Sequence, residues 1–285
     1  MFDFRPVATD PQSLARYVAL FARCFPGATH LHEAYLEWLY LRNPAGKVVG
    51  MDAIAGDDLA AHYVCIPANV WLGGRQTRAL LSLNTATHPD YQGKGLFTAL
   101  AQKTYELGAS QGCSAVYGVA NANSTPGFTR KLGFALVAPL EARVGLGQVT
   151  RTDWDAVKAR AAFRHDWSQE HLAWRAASPT NPLFVGGQDA GGSVLFARTD
   201  KPGIMVEGET GVALASGALP QKSPSPLRLY LGLSPSGTAR HGLSMAVPDR
   251  LRPSPLNLIY RSLDDAVPAL PATEVQFNFL DFDAY

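Results

Sequence analysis

The sequence predicts an α/β protein with a mixed (α+β) sheet, built as two units, and three observations carry that expectation. Ala79–Thr87 is a short, apolar, nearly uncharged run. It leads through Gln92-Gly93-Lys94-Gly95-Leu96 into apolar positions at helical spacing (Leu96, Phe97, Leu100, Ala101, Thr104, Tyr105, Leu107), and a second apolar run, Gly112–Ala120, follows. Strand, turn, helix, strand is a βαβ unit, which makes this part of the sheet parallel. Shorter strand-like runs precede it, and a proline-rich second half repeats strand character without the glycine turn.

Taken in order, Phe4 to Ala8 reads as a first strand, and Asp10 or Ser13 caps a helix carrying Leu14, Tyr17, Val18, Leu20 and Phe21, which ends before Pro26-Gly27. A second helix, Leu31 to Leu41, stops at Asn43-Pro44, since proline cannot continue it. Antiparallel strands follow at Gly50–Ala55, Leu59–Ile66 and Gln76–Thr87, with turns at Gly56-Asp57-Asp58 and Gly73-Gly74. After the Gly112–Ala120 strand, Ser124 or Thr125 caps a short helix starting at Pro126.

The second half echoes the first. Tyr35–Tyr40 followed by Asn43-Pro44 is mirrored by His171–Ala176 followed by Asn181-Pro182, the tryptophans Trp38 and Trp174 being 136 residues apart and the Asn-Pro pairs 138. Diverged duplication and chance similarity of two helix-ending segments are both open at this level. Strand character recurs at Phe184–Arg198, Gly203–Val206, Leu227–Leu233, Leu243–Val247, Leu256–Tyr260 and Val275–Phe282. Twelve of the twenty prolines lie beyond residue 170, among them Pro220 and Pro224, which favours loops and sheet edges over long helices. The expected boundary lies between about Gly145 and Asp155, giving units 1–147 and 148–285.

Two glycines at a strand-to-helix junction leave backbone N–H groups uncovered at the positive end of a helix, a site for phosphate. A glycine-relieved tight turn is the bland alternative. With Gln92 leading, the segment resembles the acyl-CoA loop of the GNAT (GCN5-related N-acetyltransferase) family, Q/R-x-x-G-x-G/A. Gln92 to Leu96 fill its first five places, while Phe97 stands where the family has Gly or Ala. The resemblance extends from His88-Pro89-Asp90-Tyr91 through Asn121-Ala122-Asn123 to Lys131-Leu132-Gly133-Phe134, about the first half of the chain.

That resemblance implies a GNAT acyl-CoA N-acyltransferase fold with a second, degenerate GNAT-like domain that binds no CoA. It implies transfer of an acyl group from acetyl-CoA, or another acyl-CoA, to a small primary amine, amino sugars included. Thr85, Ala86 and Thr87 would meet the pantetheine, and Gln92, Gly93, Lys94, Gly95, Leu96, Phe97 and Thr98 the diphosphate. Many members carry a glutamate base on the fourth strand, but residues 76–89 hold no carboxylate, and the usual tyrosine acid falls on Thr129. Tyr117, a phenol on the adjacent strand, and His88, an imidazole, are the substitutes considered, each weighed against a packing or loop role. Glu33, Tyr35, Asp90 and the Tyr285 terminal carboxylate, after Asp281 and Asp283, are further options for the base. Asn121 and Asn123 would bond cofactor or acceptor, or cap the backbone. A catalytically silent CoA-binding or regulatory module is the alternative function.

Composition narrows the partners. A net charge of +1 without a dense Lys/Arg run gives no case for nucleic acid. No apolar run reaches membrane-spanning length, and the N-terminus lacks a basic-then-apolar leader pattern. Cys24, Cys65 and Cys113 lack metal-ligand spacing and read as reduced, buried thiols, so no metal and a cytoplasmic setting are expected.

Overall fold

The computed structural model describes residues 1–189, 192–214 and 225–282. Asp10 caps the first helix as its sequence position demands, its carboxylate accepting from the Ser13 amide at 3.1 Å. The elements are β1 (Asp3–Pro6), α1 (Pro11–Cys24), α2 (Glu33–Leu41), β2 (Val49–Ala55), β3 (Asp58–Leu72), β4 (Arg75–Thr87), α3 (Leu96–Ser110), β5 (Cys113–Ala120), α4 (Thr125–Lys131), β6 (Ala135–Pro139) and β7 (Glu141–Leu146). They continue as β8 (Thr150–Thr152), α5 (Trp154–Arg160), β9 (Phe163–His165), α6 (Gln169–Ala176), β10 (Phe184–Asp189), β11 (Gly192–Arg198), β12 (Ile204–Thr210), β13 (Leu227–Leu233), β14 (Ala239–His241), β15 (Ser244–Ala246), β16 (Asn257–Ser262) and β17 (Phe277–Asn278).

One sheet runs β1-β2-β3-β4-β5-β16-β6, with β9 pairing on β3, and β4–β5 is the expected parallel pair. A second runs β10-β11-β12-β13-β7-β15, with a parallel pair of its own at β12–β13 and β17 added to β13. One strand of each half, β7 and β16, has crossed to the other sheet. β16 lies antiparallel between β5 and β6, and β7 lies antiparallel between β13 and β15. This reciprocal exchange ties the halves together through backbone hydrogen bonds as well as through side chains.

β3 runs six residues past its expected end at Ile66, because Val70 and Leu72 are fully buried and β9 covers that end, pairing Val70–Leu72 with Phe163–His165. The expected strand over Val275–Phe282 is only the two residues of β17. A 3₁₀ turn follows at Phe279–Asp281, closed by a capping box in which the Asn278 side chain accepts from the Leu280 amide and Asp281 from the Asn278 amide. The expected loop positions Pro220 and Pro224, with Asp283 and Tyr285, lie outside the described residues.

The first sheet is sandwiched. Leu80, Val116, Leu100, Tyr105 and Phe134 pack on the α3 side, while Leu81, Tyr117, Leu36, Phe21 and Tyr40 pack on the α1–α2 side, in a core that continues into the second half through Leu195, Val206 and Phe277. Alternation along β4 and β5 therefore sends consecutive residues to different layers. Among the described residues no helix is long and apolar enough to cross a membrane.

Candidate active site

β4 and β5 pair from Arg78–Cys113 only as far as Leu81–Tyr117 and then part. Near the point of parting β4 bulges. Its register on β3 passes from Leu83–Val64 to Ala86–His62, so Asn84 and Thr85 oppose the single Tyr63, and Asn84 takes a left-handed φ of 45°. The result is a cleft of about 590 Å³ between the strands, walled by Ser82, Asn84, Thr85 and Thr87 on one side and Gly118–Ala120 on the other. Ala86, between the two threonines, is buried and faces away from it.

The glycine turn stands beyond this cleft at the head of α3. Gly93 and Gly95 have φ of 76° and 74°, and a Cβ on either would meet nothing within 4 Å. The glycines are therefore required by conformation, and the space over them is open to a ligand. Gly95 is the N-cap and offers no side chain, so the first amides of a 15-residue helix, those of Leu96, Phe97 and Thr98, have no side-chain cap. Leu96 anchors the turn from below in the core, and Gln92 reaches the Thr87 carbonyl at 3.5 Å. Lys94 lies over the Tyr91 ring at 4.8 Å. Phe97, the departure from the family pattern, stands edge-on to Tyr63 and Phe128 (6.2 and 5.4 Å between centroids) and forms part of the cleft wall.

Asn121 and Asn123 border the cleft where β5 ends. Asn121 is also the cap of this corner, its Oδ1 accepting from the amides of Asn123 (3.0 Å) and Ser124 (2.9 Å), while the Ser124 hydroxyl bonds back to Asn121 rather than capping α4. The exchanged half secures the same corner, with Ser254 accepting from the Ala122 amide and Asn257 donating to Thr125.

Tyr117 is the last residue of β5 paired with β4, with its side chain on the α1–α2 side and 1% exposed. Its hydroxyl lies 2.6 Å from His165 Nε2, and His165 Nδ1 faces Asp281 at 3.7 Å. Burial raises the Tyr117 phenol well above its ordinary value, and the nearby Asp281 adds to the effect. Burial also holds the His165 imidazole down to about 3, keeping it neutral, with His171 a lesser contributor. Asp281 is pushed up to about 7, again by burial, against bonds from the Asn278 amide and Trp167 Nε1. A narrow cavity of about 40 Å³ between the two halves touches Tyr117, His165, Asp281, Trp38 and Trp174. It is lined by Leu81 and Tyr117, the sequence neighbours of the cleft residues Ser82 and Gly118, at the parting of β4 and β5.

His88 borders neither space. It caps a 3₁₀ turn, and its Nε2 lies 3.0 Å from an Arg23 guanidinium nitrogen, which can only donate. Thr129 bonds back to the Thr125 carbonyl at 3.0 Å, a helical role without acid chemistry. Tyr35 is buried against Trp38 and His30, and Glu33 is exposed in the first turn of α2. His165 and a buried chain through Asp52, His62 and Tyr40 were not evident from sequence. The signal for the latter is a charge and an imidazole inside two apolar strands, Gly50–Ala55 and Leu59–Ile66, which pair directly as Asp52–His62. His165 gives no such signal, because it sits in a three-residue strand.

The second half has closed its own version of the cleft. β12 and β13 pair from Ile204–Leu227 to Glu207–Tyr230 and then part, but β17 enters the gap, pairing Asn278 with Gly232 while the Asn278 amide group donates to the Glu209 carbonyl at 2.8 Å. Both flanks carry glycine there. A Cβ on Gly208 would stand 2.6 Å from Asn278 Oδ1, and one on Gly232 2.3 Å from the Phe277 carbonyl. The buried Glu207 and Glu209 accept from the amides of Val149, Thr150 and Thr152, so the segment joining the halves is pinned to this closed cleft.

Residues 5–137 match the family model described as an acetyltransferase (GNAT) domain. Among solved structures the chain resembles a probable N-acyltransferase from Enterococcus faecalis (12% identity, TM-score 0.56, covering 93% of this chain and 73% of that one). It also resembles a GCN5-related N-acetyltransferase from Anabaena variabilis (14%, 0.57, 92% and 73%) and Eis1 from Mycobacterium abscessus (14%, 0.54, 93% and 74%). At these identities the likeness establishes the fold. No protein of curated function shows significant sequence similarity.

Proposed function

With residues 5–137 forming a GNAT acetyltransferase domain, we propose that the chain is an acyl-CoA-dependent N-acyltransferase, using acetyl-CoA and acting on a small primary amine such as an amino sugar. The observation that carries this reading is the parted β4–β5 pair, bulged at Asn84–Thr85, which runs into an uncapped helix N-terminus behind two positive-φ glycines. A thioester arm fits between the strands, and a diphosphate fits the amides of Leu96 to Thr98.

Thr85, Thr87 and Phe97 flank the arm, and Gly93 and Gly95 leave the diphosphate room. Asn121 and Asn123 stand at the cleft's far rim. Tyr117 is the acid that protonates the departing thiolate. In the tautomer with its hydrogen on Nε2, His165 donates to the phenol oxygen, leaving the phenolic hydrogen for the sulfur. Unit 148–285, its cleft filled by β17, holds no second donor and supplies His165 and Asp281 to the first. The free thiols of Cys24, Cys65 and Cys113 support a cytoplasmic setting.

Calorimetry with acetyl-CoA tests the donor assignment. The wild-type chain should bind, and Gly93→Asp or Gly95→Asp should weaken binding at least tenfold by placing a carboxylate over the amides; binding that is absent, or unchanged in both variants, defeats the assignment. The carboxylate-free 76–89 segment and the helix-bonded Thr129 favour one other reading, a CoA-binding module without turnover. It requires CoA binding with no amine-dependent thiol release across glucosamine, spermidine and tryptamine, and sustained release with any of them excludes it.

A further inference from the structure

A chain of buried polar groups ends on the bulge of the acyl cleft. Asp52 on β2 meets His62 Nδ1 at 2.7 Å, His62 Nε2 meets the Tyr40 hydroxyl of α2 at 3.0 Å, and that hydroxyl meets Asn84 Nδ2 at 3.2 Å. The Tyr17 hydroxyl closes the far end on Asp52 Oδ2 at 2.8 Å. His62 and Tyr40 are fully buried, and the imidazole is held between aromatic rings, its nearest centroid 4.1 Å away on Tyr17. Asn84 alone reaches the cleft.

The direction of every bond in this chain follows from its acidic end. A carboxylate only accepts, so His62 carries its hydrogen on Nδ1. In a neutral imidazole Nε2 then accepts, so Tyr40 donates to it. The Tyr40 oxygen has spent its hydrogen and can only accept from Asn84, which therefore turns its NH₂ inward. What remains for the cleft is the Asn84 carbonyl oxygen, which has no partner among the described residues.

We propose that Asn84 binds the acceptor amine, its Oδ1 accepting an N–H of the nucleophile, and that Asp52, His62 and Tyr40 are positioning residues whose fixed polarity makes this face of the cleft an acceptor. The assignment rests on the N-acyltransferase reading above. It fits the chemistry on the page, since β4 offers the amine no carboxylate and Asn84 is the carboxamide on its bulge. A neutral amine held through one N–H keeps its lone pair for the thioester carbonyl, and an alcohol held the same way has spent its only hydrogen. The left-handed backbone at Asn84 aims the side chain away from the regular alternation of the strand, so the bulge and the buried chain act on the same group.

Three variants test this. Asn84→Gly keeps the positive φ and removes the carboxamide. Asn84→Leu keeps the side-chain volume and offers the amine no acceptor. Asp52→Asn frees His62 to adopt the other tautomer and so reverse the chain. With acetyl-CoA as donor and glucosamine, spermidine and tryptamine as acceptors, each should raise the KM for the amine tenfold or more while the calorimetric Kd for acetyl-CoA stays within twofold. Nitrogen-15 NMR of His62 in the wild-type chain should show Nδ1 protonated and Nε2 unprotonated. An Nε2-protonated His62, or an amine KM within twofold of wild type in Asn84→Gly, overturns the proposal. If Asp52→Asn fails to fold, the two Asn84 variants decide. A wild-type chain inactive on every amine defeats the N-acyltransferase reading and this amine assignment with it. The NMR result would still report the polarity of the chain, and acetyl-CoA binding would still report the donor site.

Discussion

The indoles of Trp38 and Trp174 stack at 4.8 Å with their planes 16° apart, and each donates its Nε1–H to the other's backbone carbonyl, at 2.8 and 3.1 Å. Two residues that exchange the same bond in both directions lie on a local twofold axis, as residues at the centre of a symmetric dimer do. Their surroundings repeat as well. Asn43 donates to the Pro67 carbonyl in β3, and Asn181 donates to the Arg198 carbonyl at the end of β11. The exchanged strands β7 and β16 obey the same relation, so the two halves are arranged about a local twofold axis.

Replacing Trp38, which is 5% exposed, with Ala should cost about 3–5 kcal/mol in urea unfolding, the range for truncating a buried aromatic. Trp174→Ala should cost less, because Trp174 is only partly buried. The double variant should fall short of the sum by about 1–3 kcal/mol, since either truncation alone already removes the stack and one hydrogen bond. Strict additivity would mean that the pair is in contact without being coupled.

Much of this was legible in the sequence for a physical reason. β4, α3 and β5 announce themselves because their apolar period and the Gly93–Gly95 turn are local. The tryptophan echo was legible as a similarity, but its meaning depends on contact across 136 residues. The strand exchange has no local signature, since Asn257–Ser262 reads as a strand whichever sheet receives it. Tyr117 could be picked out as a phenol beside the cleft. Its partners His165 and Asp281 come from the other half, and no spacing rule links them.

Gly208 tests whether the second cleft is held shut by the C-terminal segment. A valine there would push against Asn278 and the Phe279 ring, which lie 2.6 and 2.7 Å from its Cβ position. Gly208→Val should release residues 277–282, seen as faster proteolysis at that end and a change in the fluorescence of Trp167, whose indole N–H bonds Asp281 at 2.9 Å. Unchanged proteolysis and fluorescence would show that the segment is held by other contacts.

Tyr117→Phe removes one hydroxyl from a buried position and leaves the ring to pack on Phe163 and Phe277. The loss of the bond to His165 should cost about 1 kcal/mol in stability. If the phenol is the acid, thiol release should fall by about 10²–10⁴-fold with the acetyl-CoA Kd unchanged. Equal turnover in the variant would assign Tyr117 to packing.

Asp281 should make stability fall as pH rises. Its carboxyl is pushed up to about 7 in the folded chain, from 3.8 as an ordinary aspartate, chiefly by burial. Between those values the folded state holds a proton that the unfolded state has released, so the folded state binds more protons and stability declines with increasing pH. Below about 4 both states are protonated and nothing is lost; above about 7 the ionised, buried form carries its full penalty. His165 works in the opposite sense. Its folded value of about 3 lies below the ordinary 6.5, so it adds stability as pH rises through that interval and masks part of the Asp281 effect. Subtraction separates the two, because Asp281→Asn removes one slope and leaves much of the other. The stability of the wild type relative to Asp281→Asn should drop by a few kcal/mol, on the order of 1.4 per pKa unit, between pH 4 and 7, measured by urea unfolding at each pH. A difference that is flat, or that rises with pH, would mean Asp281 is ionised in the folded chain throughout.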